Sequence, residues 1–114
     1  ALTITAAATK EDVKEKYHIR SLYYKGLSEM GVDNLLYDPE NAKGLFVDSF
    51  TQLIEAVKAT GKTDAESVSF IVDGNNYLGY YYYLKGDTAK AKVHFQNTLA
   101  VSPEDDFAGQ FAEL

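Results

Sequence analysis

Signals that begin and end helices recur along the chain, and they constrain its fold more than any other feature. Thr63 to Glu66 matches a capping box, in which a hydroxyl and a carboxylate satisfy the free backbone N–H groups at a helix start. Both prolines follow a short polar residue, an arrangement typical of a first helical turn because proline has no N–H to lose there. Together the start signals predict five helices, and they lie at Thr9 to Asp12, Asp38-Pro39, Thr63 to Glu66, Gly86-Asp87, and Ser102-Pro103 with Asp105.

Apolar residues recur at steps of three and four between these starts, as expected for helices with one buried face. The predicted helices run from about Lys10 to Met30, Pro39 to Thr60, Asp64 to Leu84, Thr88 to Val101, and from Pro103 onward. Gly31, Gly61 and Gly86 are expected to end the first three. The residues predicted to face inward are Val13, Tyr17, Leu22, Tyr24 and Leu27 in the first helix; Leu45, Phe46, Phe50, Leu53, Ile54 and Val57 in the second; Ala91, Phe95 and Leu99 in the fourth; and Phe107, Phe111 and Leu114 in the last.

Two segments with high β propensity, Val68 to Val72 and Tyr80 to Tyr83, compete with the helical interpretation. Both lie in one uninterrupted run between the capping box and Gly86. That run is about 20 residues long, whereas strands in globular proteins rarely exceed about 10 residues. The fold class is therefore predicted to be all-α.

Length and composition predict a single globular domain and exclude several classes of function. At 114 residues the chain has room for one modest core, and its 46% hydrophobic and 25% charged residues are ordinary globular values. A formal net charge of -6, with no basic stripe visible along the sequence, argues against nucleic acid, whose phosphates require cationic surfaces. The absence of cysteine excludes disulfides and thiolate chemistry. No apolar run approaches the roughly 18 residues of a membrane span, so no membrane insertion is expected.

Six residues of the C-terminal half stand at the spacings of a known helical repeat, and they are Leu78, Gly79, Tyr82, Ala91, Phe95 and Pro103. They resemble the tetratricopeptide repeat family, whose unit is a helix-turn-helix of about 34 residues. The resemblance implies that Gly79 and Ala91 let two helices cross closely while the larger residues of the set fill the space around the crossing. It assigns the turn to Gly86-Asp87 and the start of the next helix to Pro103. Asn75 departs from the pattern, since the family has a bulky aromatic residue there.

The same resemblance organises the rest of the chain around this matched unit. Residues 10–60 resemble a divergent helix pair, with Tyr24 at the position of the close-packing glycine and a long connection from Val32 to Asp38. The apolar residues of that connection are expected to fold back on the helices, and they are Leu35, Leu36 and Tyr37. Residues 63–102 form the matched repeat, and residues 103–114 form a capping helix.

Residues 1–114 are thus expected to form one domain, a short right-handed solenoid of antiparallel helix pairs whose N-terminal edge is open. The resemblance implies the C-terminal part of a longer bacterial repeat protein. Two helix pairs are fewer than the roughly three repeats that such arrays usually need for stability. The open edge is therefore expected to be covered by upstream sequence or by a second copy of the chain.

In this family the first helices of the pairs line a concave groove that holds an extended peptide or a helix. The resemblance places Asn76, Tyr80 and Tyr83 on that groove, where two tyrosines and an amide suit a peptide or protein partner. The expected function is a non-enzymatic interaction or scaffold module. The alternative is that these tyrosines only pack, and that the segment is the purely architectural end of an array whose partner binds upstream. Tyr81 and Tyr82 are expected to pack in the core.

The side chains that catalysis or metal binding would require are sparse. Neither His18 nor His94 has a third metal ligand in reach by sequence, and Glu11 lies roughly 10 Å from His18 along a helix. Asp73 to Asn76 resembles part of a calcium loop but lacks the bidentate glutamate. No nucleophile elbow or glycine-rich phosphate loop is present. We expect no enzymatic activity, no metal and no cofactor.

The acidic, tyrosine-rich, cysteine-free composition resembles exported bacterial repeat proteins, which implies a periplasmic or cell-envelope location.

Overall fold

The computed structural model describes residues 10–114 of the chain, and every regular element in that range is helical. The elements are α1 (Lys10–Asp33), a short 3-10 helix (Pro39–Asn41), α2 (Val47–Thr60), α3 (Ala65–Leu84), α4 (Thr88–Val101) and α5 (Asp106–Gly109). The described residues contain no strand. The all-α prediction is confirmed, and both segments with high β propensity lie in α3.

Consecutive helices pack as antiparallel neighbours, so the chain folds back and forth as a row of hairpins. In the first hairpin Gly26 of α1 lies against the ring of Phe50 in α2. One turn further along α1, Glu29 accepts a hydrogen bond from the hydroxyl of Ser49, which precedes Phe50. Later residues of one helix therefore meet earlier residues of the next, as in an antiparallel pair.

Helices α1 and α3 run parallel to each other, which brings side chains of both to one face of the molecule. Arg20 pairs with Glu66 at 2.9 Å, and the hydroxyl of Tyr23 donates to the Asp73 carboxylate at 2.8 Å. Both contacts advance in the same direction along the two helices. The exposed Arg20 pair contributes at most about 1 kcal/mol, so it aligns the helices more than it stabilises them.

The α1–α2 pair, the first hairpin, and the α3–α4 pair, the second hairpin, each close on a glycine that faces a buried phenylalanine. A Cβ atom built on Gly26 would lie 2.6 Å from the Phe50 ring, and one built on Gly79 would lie 2.8 Å from the Phe95 ring. Both rings are 0% exposed, so they have no free space into which to withdraw. The close-packing position of the first hairpin is therefore Gly26. The assignment of that position to Tyr24 is wrong, since Tyr24 is 63% exposed.

The core consists of two clusters that share α3. The larger cluster joins α1, α2 and α3 with the connection between the first two helices, and it is centred on Phe46, Phe50 and Leu53. The smaller cluster joins α3, α4 and α5 through Phe95, whose ring stacks on Phe111 with centroids 4.4 Å apart. Ala108 of α5 is buried in the same cluster, so the last helix and the residues after it pack against the α3–α4 hairpin.

The first helix extends three residues beyond its predicted end and buries a different face. Gly31 does not end it; the helix continues to Asp33, and Asn34 then takes a left-handed φ of 57°. The inward residues are Ile19, Leu22, Gly26 and Met30, with Tyr23 half-buried beside them. The prediction was correct for Leu22 and for the partly buried Leu27. It was wrong for Val13, Tyr17 and Tyr24, which are exposed. Val13 and Tyr17 precede Ile19, where the buried face begins, and Tyr24 lies on another side of the helix.

The second helix starts later than predicted because the chain before it is held by a carboxylate from α1. Asp33 is buried and accepts hydrogen bonds from the backbone N–H groups of Lys43, Gly44 and Leu45 at 2.6, 2.7 and 3.2 Å. Gly44 has a φ of +78°, which a helix does not permit. The predicted start at Pro39 is therefore only a 3-10 turn. Burial raises the pKa of the Asp33 carboxyl, but the three N–H donors outweigh burial and leave that pKa lowered.

The connection between α1 and α2 follows the sequence prediction in part. Leu35 is 1% exposed and packs into the larger cluster, as predicted. Leu36 and Tyr37 are 63% and 87% exposed, so their predicted folding back on the helices is wrong. Leu45 was predicted to face inward and is also exposed, because the helical register on which that prediction rested begins only at Val47.

Aspartates provide the helix caps of the C-terminal half. Asp64, and not Thr63, caps α3 by accepting from the N–H of Ser67. Asp87 caps α4 as predicted, and α4 has the predicted bounds. Asp105 caps α5 by accepting from the N–H of Ala108, so the predicted start at Ser102-Pro103 is wrong. The start predicted at Thr9 lies outside the described residues.

A pair of glycine substitutions in α1 tests the close crossing. Gly26→Ala is expected to lower the free energy of unfolding, because an overpacking cost of about 1–3 kcal/mol exceeds the gain of about 0.5–1 kcal/mol from alanine's helix propensity. Gly31→Ala, on the same helix with nothing within 4 Å of its added Cβ, is expected to raise it by up to about 1 kcal/mol. Urea unfolding followed by circular dichroism measures both. Equal effects of the two substitutions would contradict the close crossing.

Candidate functional site

A cavity of about 370 Å³ opens on the surface of α3, and we call it the α3 groove. Four of its lining residues follow helical steps of three, one and three along α3, which places them on one face of that helix. The other two come from the α1–α2 connection and from α5. The lining residues are Leu36, Asp73, Asn76, Tyr77, Tyr80 and Phe107.

Aromatic contacts with the core hold the walls of the α3 groove in place. The Tyr77 ring stacks on the buried Phe50 ring with centroids 5.4 Å apart. The Tyr80 ring meets Phe107 edge-on at 5.9 Å, and Phe107 in turn contacts Phe95 at the same distance. The aromatic walls are thus continuous with both glycine-phenylalanine crossings. Such rings offer a large apolar surface with little rotamer freedom to lose on binding.

Asp73 gives the α3 groove its charge. Its carboxylate accepts the hydrogen bond from Tyr23, and burial together with this bond raises the pKa of the Tyr23 hydroxyl. Burial, and then the nearby Asp73 charge, also raise the pKa of Tyr77. No lysine, arginine or histidine is among the described residues that line the cavity. The groove is therefore apolar with a negative end.

Asn76, one of the sequence-predicted site residues, joins three helices at the edge of the groove. Its Nδ2 donates to the Asp105 carboxylate at 3.0 Å, and its Oδ1 accepts from the Thr98 hydroxyl at 2.9 Å. The same Asp105 carboxylate accepts from the backbone N–H of Ala108 and so caps α5. Asn76 therefore fixes α5, and with it Phe107, relative to α3 and α4.

The structure brings together two of the three predicted partner-binding residues. Asn76 and Tyr80 line the α3 groove, whereas Tyr83 lies outside it, 40% exposed and with its ring 5.0 Å from Phe111. Tyr81 packs edge-on against Phe46 at 5.4 Å in the larger cluster. Tyr82 belongs to the smaller cluster.

The remaining residues of the repeat pattern lie at the second crossing or near α5. Leu78 and Gly79 are buried in α3, and Ala91 and Phe95 are both 0% exposed in α4. Pro103 is exposed in the turn between α4 and α5.

Four residues that line the α3 groove were not predicted from the sequence as site residues, and they are Leu36, Asp73, Tyr77 and Phe107. The spacing of Asp73 and Tyr77 from Tyr80 was a usable signal for two of them, since all three share a helical face.

A polar pair inside the second hairpin was also missed. Asn75 is 1% exposed; its Oδ1 lies 2.9 Å from Nδ1 of His94, and its Nδ2 donates to the Ile71 carbonyl at 3.0 Å. The His94 ring stacks on Tyr82 with centroids 5.7 Å apart. This pair occupies the position for which the repeat pattern has a bulky aromatic residue. Burial, followed by the positive charges of Lys58 and Lys90, lowers the pKa of His94.

The lowered pKa of His94 predicts a pH dependence of stability. Above the ordinary histidine value of about 6.5, His94 is neutral in both folded and unfolded chains. As pH falls from there through the lowered folded-state pKa, the unfolded chain binds the proton first, so the free energy of unfolding decreases. His94→Gln, measured by thermal melts across this window, is expected to flatten the decrease. His18→Gln, at an exposed position of α1, is the matched control and should leave it unchanged; equal slopes for His94→Gln and the parent chain would contradict the assignment.

Two further kinds of feature, metal sites and membrane-spanning helices, were sought in the described part of the chain. Residues 10–114 contain no group of three or more His, Cys, Asp or Glu side chains placed to hold a metal ion. None of the described helices is long and apolar enough to cross a membrane. No protein-family model, curated protein or solved structure matches the chain.

Proposed function

We propose that this chain is a non-enzymatic interaction module that holds a segment of a peptide or protein in the α3 groove. The observation that carries the proposal is the groove itself, a cavity of about 370 Å³ with aromatic and aliphatic walls and one carboxylate. Apolar walls of this kind supply most of a ligand's binding free energy, and a few polar groups orient it. No cofactor or metal takes part in this function.

The charge of the groove selects the chemistry of its partner. Asp73 lies inside it, and Asp105 borders it through the hydrogen bond to Asn76. With no cationic lining residue among those described, a carboxylate ligand would be repelled and a cationic one attracted. The segment that fits places an apolar side chain between the rings and a neighbouring lysine or arginine at Asp73.

We also propose that the chain is a divergent relative of the tetratricopeptide repeat proteins. The support is the repetition of one packing device, glycine against phenylalanine, in both antiparallel hairpins, together with the parallel course of α1 and α3. The longer connection between α1 and α2 is the main departure from a regular array. In this proposal the α3 groove corresponds to the concave surface of the family, and α5 caps the array.

An architectural role is the second candidate, and a specific observation favours it. All three predicted partner-binding residues contact the end of the chain: Asn76 bonds Asp105, Tyr80 meets Phe107, and Tyr83 meets Phe111. In this alternative the α3 side chains serve only to dock α5 and terminate an array.

Two matched tyrosine substitutions separate the candidates. The probe is a blocked hexapeptide of alternating leucine and lysine, and binding is followed by backbone amide shifts in ¹H–¹⁵N spectra. Tyr80→Ala is expected to weaken binding at least tenfold, or about 1.4 kcal/mol, because it removes a wall of the groove. Tyr83→Ala removes a similar ring contact, with Phe111 just after α5, but Tyr83 lies outside the groove, so this variant should leave the Kd within about twofold.

A charge control accompanies the tyrosine pair. Asp73→Asn keeps an acceptor for the Tyr23 hydroxyl but removes the charge, so it is expected to narrow the preference for the lysine peptide over one of alternating leucine and glutamate. An absence of saturable shifts with the lysine peptide contradicts the binding proposal. If the parent chain does not bind the lysine peptide and both tyrosine variants lose stability, the architectural role stands instead.

A further inference from the structure

The outward face of α1 carries an apolar stripe that the rest of the described chain leaves uncovered. Its members are separated by four, three and four residues, which aligns them along one side of the helix. Val13, Tyr17 and Tyr24 are 43%, 68% and 63% exposed. A cavity of about 180 Å³ lies within the stripe. We call this surface the α1 stripe; it consists of the apolar residues Val13, Tyr17 and Tyr24, with Arg20, which pairs with Glu66 of α3, at its edge.

The α1 stripe is flanked by positive charge although the whole chain is acidic. Lys16 lines its cavity, and Lys10 and Lys14 lie at helical steps of three residues or one residue from Val13. Arg20 also lines the cavity, but Glu66 pairs with its charge. Glu15 is turned toward the α2–α3 connection, where it lies 4.0 Å from Lys62. Three lysines therefore lie beside Val13 and Tyr17, and the same end of α1 also carries Glu11 and Asp12.

The α1 stripe and the α3 groove are complementary surfaces of the same chain. One presents exposed apolar side chains with neighbouring lysines, and the other is an aromatic cavity with a carboxylate. We propose that a second copy of this chain is the occupant of the α3 groove, and that it enters with its α1 stripe. This inference rests on the proposed function and names its partner.

The α1 stripe cannot bind the α3 groove of its own molecule. Tyr23 of α1 already bonds Asp73 and packs against Phe70 of α3 with centroids 5.0 Å apart, so the face of α1 toward its own α3 is fixed. Val13, Tyr17 and Tyr24 remain exposed on the same helix. The contact must therefore form between molecules.

The charges also decide how two copies meet. A symmetric pairing of two α1 stripes would bring lysines of both copies together, whereas stripe-to-groove contact pairs lysines with Asp73. Stripe-to-groove contact is heterologous, since different surfaces of the two copies meet, and each copy added leaves one free stripe and one free groove. The assembly therefore grows beyond a dimer unless it closes into a ring.

Sedimentation velocity of the whole chain tests this assembly. The mean mass is expected to rise with concentration past that of a dimer, and to fall as NaCl increases from about 0.05 M to about 0.5 M, because salt screens exposed charge pairs. A species that stays monomeric at millimolar concentration and low salt overturns the proposal.

Two matched valine substitutions locate the surface. Val13→Glu places a charge in the α1 stripe and is expected to weaken association at least tenfold. Val93→Glu makes the same change at a similarly exposed position of α4 and should leave association unchanged. Both positions are exposed, so both variants keep the fold. Equal loss of association in the two variants, or none in Val13→Glu, overturns the proposal.

Complementation distinguishes stripe-to-groove contact from other arrangements. Leu36→Lys, at an exposed lining residue, repels a basic occupant from the groove but leaves the stripe intact. Each of Val13→Glu and Leu36→Lys should be monomeric alone, while their mixture should form a one-to-one dimer that grows no further. A mixture that stays monomeric overturns the proposal.

The leucine–lysine hexapeptide separates this inference from the proposed function. Val13→Glu has an intact groove, and it should bind the hexapeptide like the parent chain. If the hexapeptide binds but the parent chain never associates, the groove stands and the second copy is overturned as its occupant. If the hexapeptide does not bind, the proposed function itself fails.

Discussion

Close contact between a glycine and a buried phenylalanine ring sets the spacing of both long hairpins, and the rest of the structure depends on it. Gly26 faces Phe50 and Gly79 faces Phe95, each at a distance that leaves no room for a side chain. The rings placed there are also the base of what lies above them: Tyr77 stacks on Phe50, and Phe107 and Phe111 rest on Phe95. The groove on α3 is the outer surface of these two crossings.

Polar side chains set the position of the backbone before α2 and of α5. The Asp33 carboxylate holds the backbone before α2 with three hydrogen bonds, and Asn76 ties α5 to α3 and α4 through Asp105. Each polar contact is worth only about 0.5–3 kcal/mol, far less than the apolar core contributes. These hydrogen bonds contribute more to positioning than to stability, because they set where the chain turns and where Leu36 and Phe107 lie relative to α3.

The parts of the fold that sequence predicts are those whose signals are local. The bounds of α3 and α4 follow from aspartate caps and a glycine stop within the same segment, and they were predicted within a residue. The start of α2 was not, because it depends on Asp33, a residue of another helix that acts through space. The site divides in the same way: Asn76 and Tyr80 share a helical face and were predicted, whereas Leu36 and Phe107 join them only through tertiary packing.

The central claim is that both hairpins cross at glycine-phenylalanine contacts, and proton NMR tests it most directly without altering the chain. The account predicts that the α-protons of Gly26 and Gly79 show nuclear Overhauser contacts to the rings of Phe50 and Phe95, respectively. It also predicts upfield ring-current shifts of those α-protons, since they lie against the rings. Ordinary helical chemical shifts at both glycines, with no contact to either ring, would contradict it.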